Sequence, residues 1–163
     1  MRHTISILVQ NKSGVFTRIG SLFSARGFNL DGISVGPTED PSVSRLTIVT
    51  HGNDKIIEQV NKQLNKLIDV IKVVDLTFED HVERELALIK VSSNKETRNE
   101  IMQLVNIFRA NIIDISQKTI TIEATGGVDK VQALINMLRQ FGIREVARTG
   151  TIALKREYKN EQK

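Results

Sequence analysis

The sequence predicts an α+β fold in which one βαββαβ unit occurs twice in tandem. Three observations point to it. Segments alternating apolar and polar residues are interleaved with segments of helical period, in the order strand, helix, strand, strand, helix, strand. That order then recurs. The apolar columns of the two halves also coincide: adding 82 takes Ile7 to Ile89, Val9 to Val91, Ile19 to Ile101 and Leu22 to Leu104. Beyond a proline-bearing loop the offset becomes 74, taking Leu46 to Ile120, Ile48 to Ile122, Val60 to Leu134 and Leu64 to Leu138. A deletion as long as Gly36–Val43 accounts for the drop, and loops are where deletions are absorbed.

Each element has its own signal. Ile5, Ile7 and Val9 lie on one face of a half-buried strand, and Asn11-Lys12-Ser13-Gly14 breaks it. Val15, Phe16, Ile19, Leu22 and Phe23 recur at helical spacing, with Gly27 as a stop. Phe28–Val35 reads as a strand, and the loop 36–41 holds both prolines. Residues 45–51 alternate again. Asn53 or Asp54 caps a helix carrying Ile56, Ile57, Val60, Leu64, Leu67 and Ile68, and Val70–Thr77 is β-branched. In the second half, strands are expected over 85–91, 111–117, 119–125 and from Ile143 onward. Helices are marked by Ile101, Leu104, Val105 and Phe108, and by Val131, Leu134, Ile135, Leu138 and Phe141. The expected domains are 1–78 and 86–163, joined by a charged linker over 79–85, with a basic tail at the end.

With 163 residues, 40% of them apolar, the chain can build two small cores. No apolar run approaches the ~20 residues that span a bilayer, and no signal-peptide pattern opens the sequence. The absence of cysteine removes disulfides, thiolate metal sites and cysteine nucleophiles, and a cytoplasmic location is expected. The first 80 residues are charge-balanced, so the net +4 falls in the rest, half of it in the tail. That is a solvated tail rather than a nucleic-acid footprint. His3, His51 and His81 are dispersed, without metal-ligand spacing. Glu79, Asp80, Glu83 and Glu85 form an acidic cluster that reads as linker. No dinucleotide fingerprint, P-loop, GxSxG or triad is present. The aromatics Phe16, Phe23, Phe108 and Phe141 fall on expected core faces, so no base-stacking platform is marked. No nucleic acid, membrane, metal or catalytic residue is therefore expected.

The informative segment is Gln10-Asn11-Lys12-Ser13-Gly14-Val15-Phe16, together with Asn29. Free amides at a helix N-terminus suit an anion, and Gly14 allows a turn and close approach without a Cβ. An Asn side chain offers donor and acceptor together, as a free amino acid requires. The same residues also read as a plain turn and helix cap. By the offset, Gly14 maps to Glu96, Asn11 to Ser93 and Asn29 to Asn111. A carboxylate at the Gly14 position would repel a ligand carboxylate, so the first half is expected to sense and the second to contact a partner. Leu86 and Leu88 are expected on the sheet face opposite Ala87, Ile89 and Val91, as an interaction surface.

Val9–Val15, Leu22–Leu30, Val35–Pro41, Ser44–Ile48, Lys62–Val70, His81–Leu86, Ile107–Asp114 and Glu145–Gly150 together resemble the small regulatory subunits of acetolactate synthase (acetohydroxyacid synthase), with an N-terminal ACT domain. The resemblance implies two ferredoxin-like domains and a non-catalytic subunit. It implies activation of a catalytic subunit and feedback inhibition by valine, with leucine and isoleucine left open. The chain would need no cofactor of its own, because thiamine diphosphate, FAD and Mg²⁺ belong to the catalytic partner. It further implies a homodimer through the ACT domain, valine lying where the Asn11–Phe16 loop of one chain meets the Asn29–Ile33 strand of the other. On that basis the effector residues are Asn11, Gly14, Val15, Phe16, Asn29, Leu30 and Ile33. The amides of Gly14, Val15 and Phe16 would hold the carboxylate, Asn11 and Asn29 the polar end, and Val15, Leu30 and Ile33 the side chain. The competing expectation is a free-standing amino-acid-sensing regulator of another enzyme or of transcription.

Overall fold

The computed structural model describes residues 1–157. Its elements are β1 (Arg2–Gln10), α1 (Val15–Ala25), β2 (Leu30–Pro37), β3 (Val43–His51), α2 (Asp54–Leu64), β4 (Val70–Asp75), β5 (His81–Ser92), α3 (Arg98–Ile107), β6 (Asn111–Ile115), β7 (Thr119–Gly126), α4 (Val128–Leu138), β8 (Ile143–Arg148) and β9 (Ile152–Lys155). A short 3₁₀ turn, Arg139–Phe141, follows α4. The chain divides into two compact units, Met1–Val82 with the segment from Thr151, and Glu83–Gly150.

In the first unit an antiparallel sheet of order β2-β3-β1-β4 carries α1 and α2 against one face. Ile5, Ile7 and Val9 of β1 meet Leu46 and Ile48 of β3, Val15, Ile19 and Phe23 of α1, and Ile57, Val60 and Leu64 of α2. Asn53 starts α2 by accepting from the Lys55 amide at 3.0 Å. Gly27, at φ 68°, ends α1 in the left-handed conformation. The second unit repeats the pattern in the order β6-β7-β5-β8, its core built from Ala87, Ile89, Val91, Ile101, Ile120, Ile122, Leu134 and Leu138. The other face of that sheet holds Leu86, half-buried, and Leu88, exposed.

Several expectations are corrected. Residues 81–85, expected as a charged linker without structure of its own, form the start of the long strand β5, and the two units divide within them at Val82/Glu83. The acidic cluster there is held in ion pairs: Glu79 with Lys155 at 2.7 Å, Asp80 with Arg156 at 3.7 Å, and Glu85 with Arg148. The final strand is two strands, β8 and β9, separated by Gly150 at φ 75°. β9 packs on β1 and β3, so Thr151–Glu157 belongs with the first unit. The remaining tail, 158–163, lies outside the described residues. Helix α2 stops at Leu64, which leaves Ile68 exposed.

The repeat is real, but its offset drifts. Both β1 and β5 shift register against the next strand at one equivalent place, Leu8/Val9 and Lys90/Val91, which aligns them at the expected offset. Ile7 then pairs with Leu46 and Ile89 with Ile122, so Leu46 answers to Ile122 rather than Ile120. A slip of two residues keeps every strand side chain on its face, so apolar alternation could not detect it. Val35 pairs with Leu46 and Ile112 with Ile122, which puts Asn111 at the register of Ser34. Asn29 and the opening of β2 therefore have no counterpart in β6. Nor is there an eight-residue deletion at the hairpin, where the loops are 38–42 and 116–118.

Candidate functional site

Gly14 turns the chain from β1 into α1 at φ 84°, ψ −9°. A Cβ there would meet nothing nearer than Arg18 Nη1 at 3.8 Å, so space is open and the constraint is the left-handed backbone. No side chain caps α1 and no acidic residue lies in its first turn. The Val15 amide reaches Lys12 O at 3.5 Å, at the limit of a hydrogen bond; the Phe16 and Thr17 amides have no backbone partner, and the ladder begins with Arg18 N to Gly14 O at 3.1 Å. The helix thus opens with exposed donors and the positive end of its dipole. Lys12 is exposed beside it, and Arg18, one turn in, pairs with the buried Asp69.

Asn11 is held by the hairpin between β2 and β3. Its amide donates to Ser42 O at 2.7 Å and its Nδ2 to Pro41 O at 3.0 Å. That hairpin is itself pinned by Asp40, whose Oδ1 accepts from the Ser42 hydroxyl at 2.7 Å and the Ser42 amide at 2.9 Å. These two bonds hold the Asp40 carboxyl below its ordinary pKa.

Asn29 lies elsewhere. Its carbonyl accepts from Thr50 Oγ1 at 2.6 Å, at the far end of β3 from the Asn11 loop. β3 spans roughly 27 Å, so one chain does not bring Asn11 and Asn29 together. Within a single chain, then, Asn29 does not neighbour the Gly14 loop. β2 is an edge strand, with Ile33 46% and Val35 53% exposed. Val15 is buried in the core, so its side chain lines no open pocket and only its amide faces the loop. Leu30 also packs against the core, half-buried. Phe16 is exposed, not on the core face expected for it.

Two residues escaped the sequence reading. Asp31 accepts from Asn29 Nδ2 at 3.0 Å and from His51 Nδ1 at 2.6 Å. Asp31 and His51 are joined only by the β2–β3 register, for which the sequence carries no local signal. The other histidines are structural: His3 is fully buried against Gly52 O and Thr77, and His81 bonds Glu79 O. Among the described residues no group of three or more His, Cys, Asp or Glu could hold a metal ion, and no helix is long and apolar enough to cross a membrane.

In the second unit the corresponding loop is closed. Asn94 Oδ1 accepts from the amides of Glu96 and Thr97, both at 2.9 Å, and from Thr97 Oγ1 at 3.1 Å. Arg98 Nη2 reaches Ser116 O at 2.7 Å.

Two antiparallel sheets, each with its helices and a βαββαβ order, define a pair of ACT-like domains. A family model described as the AHAS small subunit-like ACT domain matches residues 5–72, and one described as the small subunit of acetolactate synthase matches residues 84–157. A probable acetolactate synthase small subunit of Archaeoglobus fulgidus is 54% identical over 96% of this chain and 98% of its own length. The acetolactate synthase small subunit of Mycobacterium bovis is 50% identical over 94% and 92%. A crystal structure of the acetolactate synthase small subunit from Thermotoga maritima matches with a TM-score of 0.89 and 48% identity, over 97% of this chain and 99% of that one. The chain belongs to the acetolactate synthase small-subunit family.

Proposed function

We propose that this chain is a non-catalytic regulatory subunit. It docks on the catalytic subunit of acetolactate synthase, raises its activity and makes it subject to feedback inhibition by valine. The chain needs no cofactor for this role. Thiamine diphosphate, FAD and Mg²⁺ act in the catalytic partner. Both proteins work in the cytoplasm.

The observation that carries the reading is the uncapped start of α1 behind Gly14, a set of amide donors with room for a carboxylate. Charge-assisted bonds of roughly 1.5–3 kcal/mol each orient such a group. The separation of Asn11 from Asn29 favours a site built by two copies. If two β2 edges pair antiparallel, the Pro37 end of one strand approaches the Leu30 end of the other. The exposed Ile33 and Val35 are then covered, and the Gly14 loop of one chain faces Asn29 of its partner. Such a shared pocket couples effector binding to the placement of the two chains, and valine acts by preferring one placement.

The test is reconstitution. Titrating the chain into purified cognate catalytic subunit, with and without valine, should raise the rate of acetolactate formation and make it valine-sensitive. A rate indifferent to the chain, or an activated rate indifferent to valine, leucine and isoleucine, overturns the proposal.

A further inference from the structure

The second structural difference between the units is at the opening of β2, and it assigns a direction to the ligand. Asp31 sits at a register shift between Leu30 and Gly32, a bulge that re-aims the bulged side chain. Both of its carboxylate oxygens are engaged: Oδ1 by Asn29 Nδ2 at 3.0 Å, Oδ2 by His51 Nδ1 at 2.6 Å. Because a carboxylate only accepts, Asn29 must turn an N–H toward Asp31, which directs its Oδ1 away. His51 holds the carboxylate in place from the neighbouring strand. The Asn29 end of the candidate site is therefore acidic and presents an acceptor. At the other end, α1 opens with amide donors, no acidic residue in the first turn and Lys12 nearby, while Arg18 is already paired with Asp69.

Resting on the two-chain reading above, we propose that Asp31 is a positioning residue that makes the sensor read the ammonium group of its effector. The effector carboxylate lies on the Gly14–Phe16 amides of one chain. Its ammonium lies on Asn29 Oδ1 of the other, within the field of Asp31. The consequence is chemical selectivity: the site takes a free branched-chain amino acid and rejects the corresponding 2-oxo acid or deaminated acid, which carry the same carboxylate and branch but no cation. A carboxylate beside Asn29 also disfavours the reversed pose, in which two anions would face each other. The second unit has no residue at this register and no equivalent arrangement.

Calorimetry on the full chain tests this with L-valine, 3-methylbutanoate and 3-methyl-2-oxobutanoate. The native chain should bind L-valine at least about tenfold more tightly than either acid, as loss of a charged hydrogen bond predicts. Asp31→Asn should weaken L-valine by about tenfold and leave the two acids unchanged, so that the selectivity collapses. Asp31→Ser should do the same. In an Asn29→Ala background, Asp31→Asn should add almost nothing, because positioning acts through Asn29. L-valine binding unchanged by both Asp31 substitutions overturns the assignment while leaving the sensor reading intact. So does an equal loss for L-valine and the acids, which marks a merely structural role. A native chain that binds no branched-chain amino acid overturns the sensor reading, and this assignment with it.

Discussion

The loop from β1 into α1 and the loop from β5 into α3 occupy the same place in two copies of one fold; neither helix has a side-chain cap, but the turns that lead into them treat their amides differently. In the first unit, Gly14 adopts a left-handed conformation, no side chain caps the helix, and Asn11 is drawn aside by Pro41 and Ser42. In the second, the Asn94 side chain takes the amides of Glu96 and Thr97 for itself. The difference therefore lies in the turn ahead of the helix, whose amides a side chain takes in one unit and not in the other. The fold supplies the position in both units; the residues of the turn decide whether it is open.

The sharpest way to separate the two units is to damage each core in turn. Leu46 and Ile122 are register equivalents, and both are fully buried. Truncation of either to Ala should cost about 2–5 kcal/mol, read as a lowered midpoint in denaturant. L-valine affinity should fall with Leu46→Ala and hold with Ile122→Ala wherever the chain remains folded. Loss of binding in both would mean that the sensing role is not confined to the first unit.

Gly14→Asp comes next. The backbone at φ 84° costs a residue with a Cβ roughly 1–2 kcal/mol, and the new carboxylate faces the place where the ligand carboxylate would lie. Valine inhibition should vanish from the reconstituted enzyme while activation persists. Full valine sensitivity in this variant would remove the site from α1. Smaller still is Asn94→Ala, which breaks the turn leading into α3. It should lower stability by about 1 kcal/mol, seen as a modest fall in melting temperature, and leave valine affinity as it is. A shift in affinity would tie the second loop to sensing.

Much of this contrast is legible in the chain itself. Period-two alternation finds β1, β3, β5 and β7, and helical spacing finds all four helices, because each buries one face in a core. Gly14 is legible as a backbone opening, since its amide geometry is set locally. What the alternation cannot convey is register: a slip of two residues leaves Leu46 facing inward whether its counterpart is Ile120 or Ile122. That ambiguity hid the missing counterpart of Asn29 and suggested Asn111 in its stead. Asp31 and His51 were hidden for a related reason, being neighbours only through the pairing of β2 with β3. The strand β9 was obscured because a turn at Gly150 divides what reads as one β-branched run.

The smallest expected effect concerns Glu96. From the offset alone, its carboxylate would be the reason the second unit does not bind an amino acid. The structure gives a prior reason: Asn94 already occupies the amides of Glu96 and Thr97, and Thr97 Oγ1 adds a third bond to the same oxygen. Glu96 is exposed, and its side chain is not needed to close that loop. Glu96→Ala should therefore leave both the stoichiometry and the affinity of valine binding unchanged by calorimetry. A second binding event in that variant would show that repulsion by the carboxylate, and not the Asn94 turn, keeps the second unit silent.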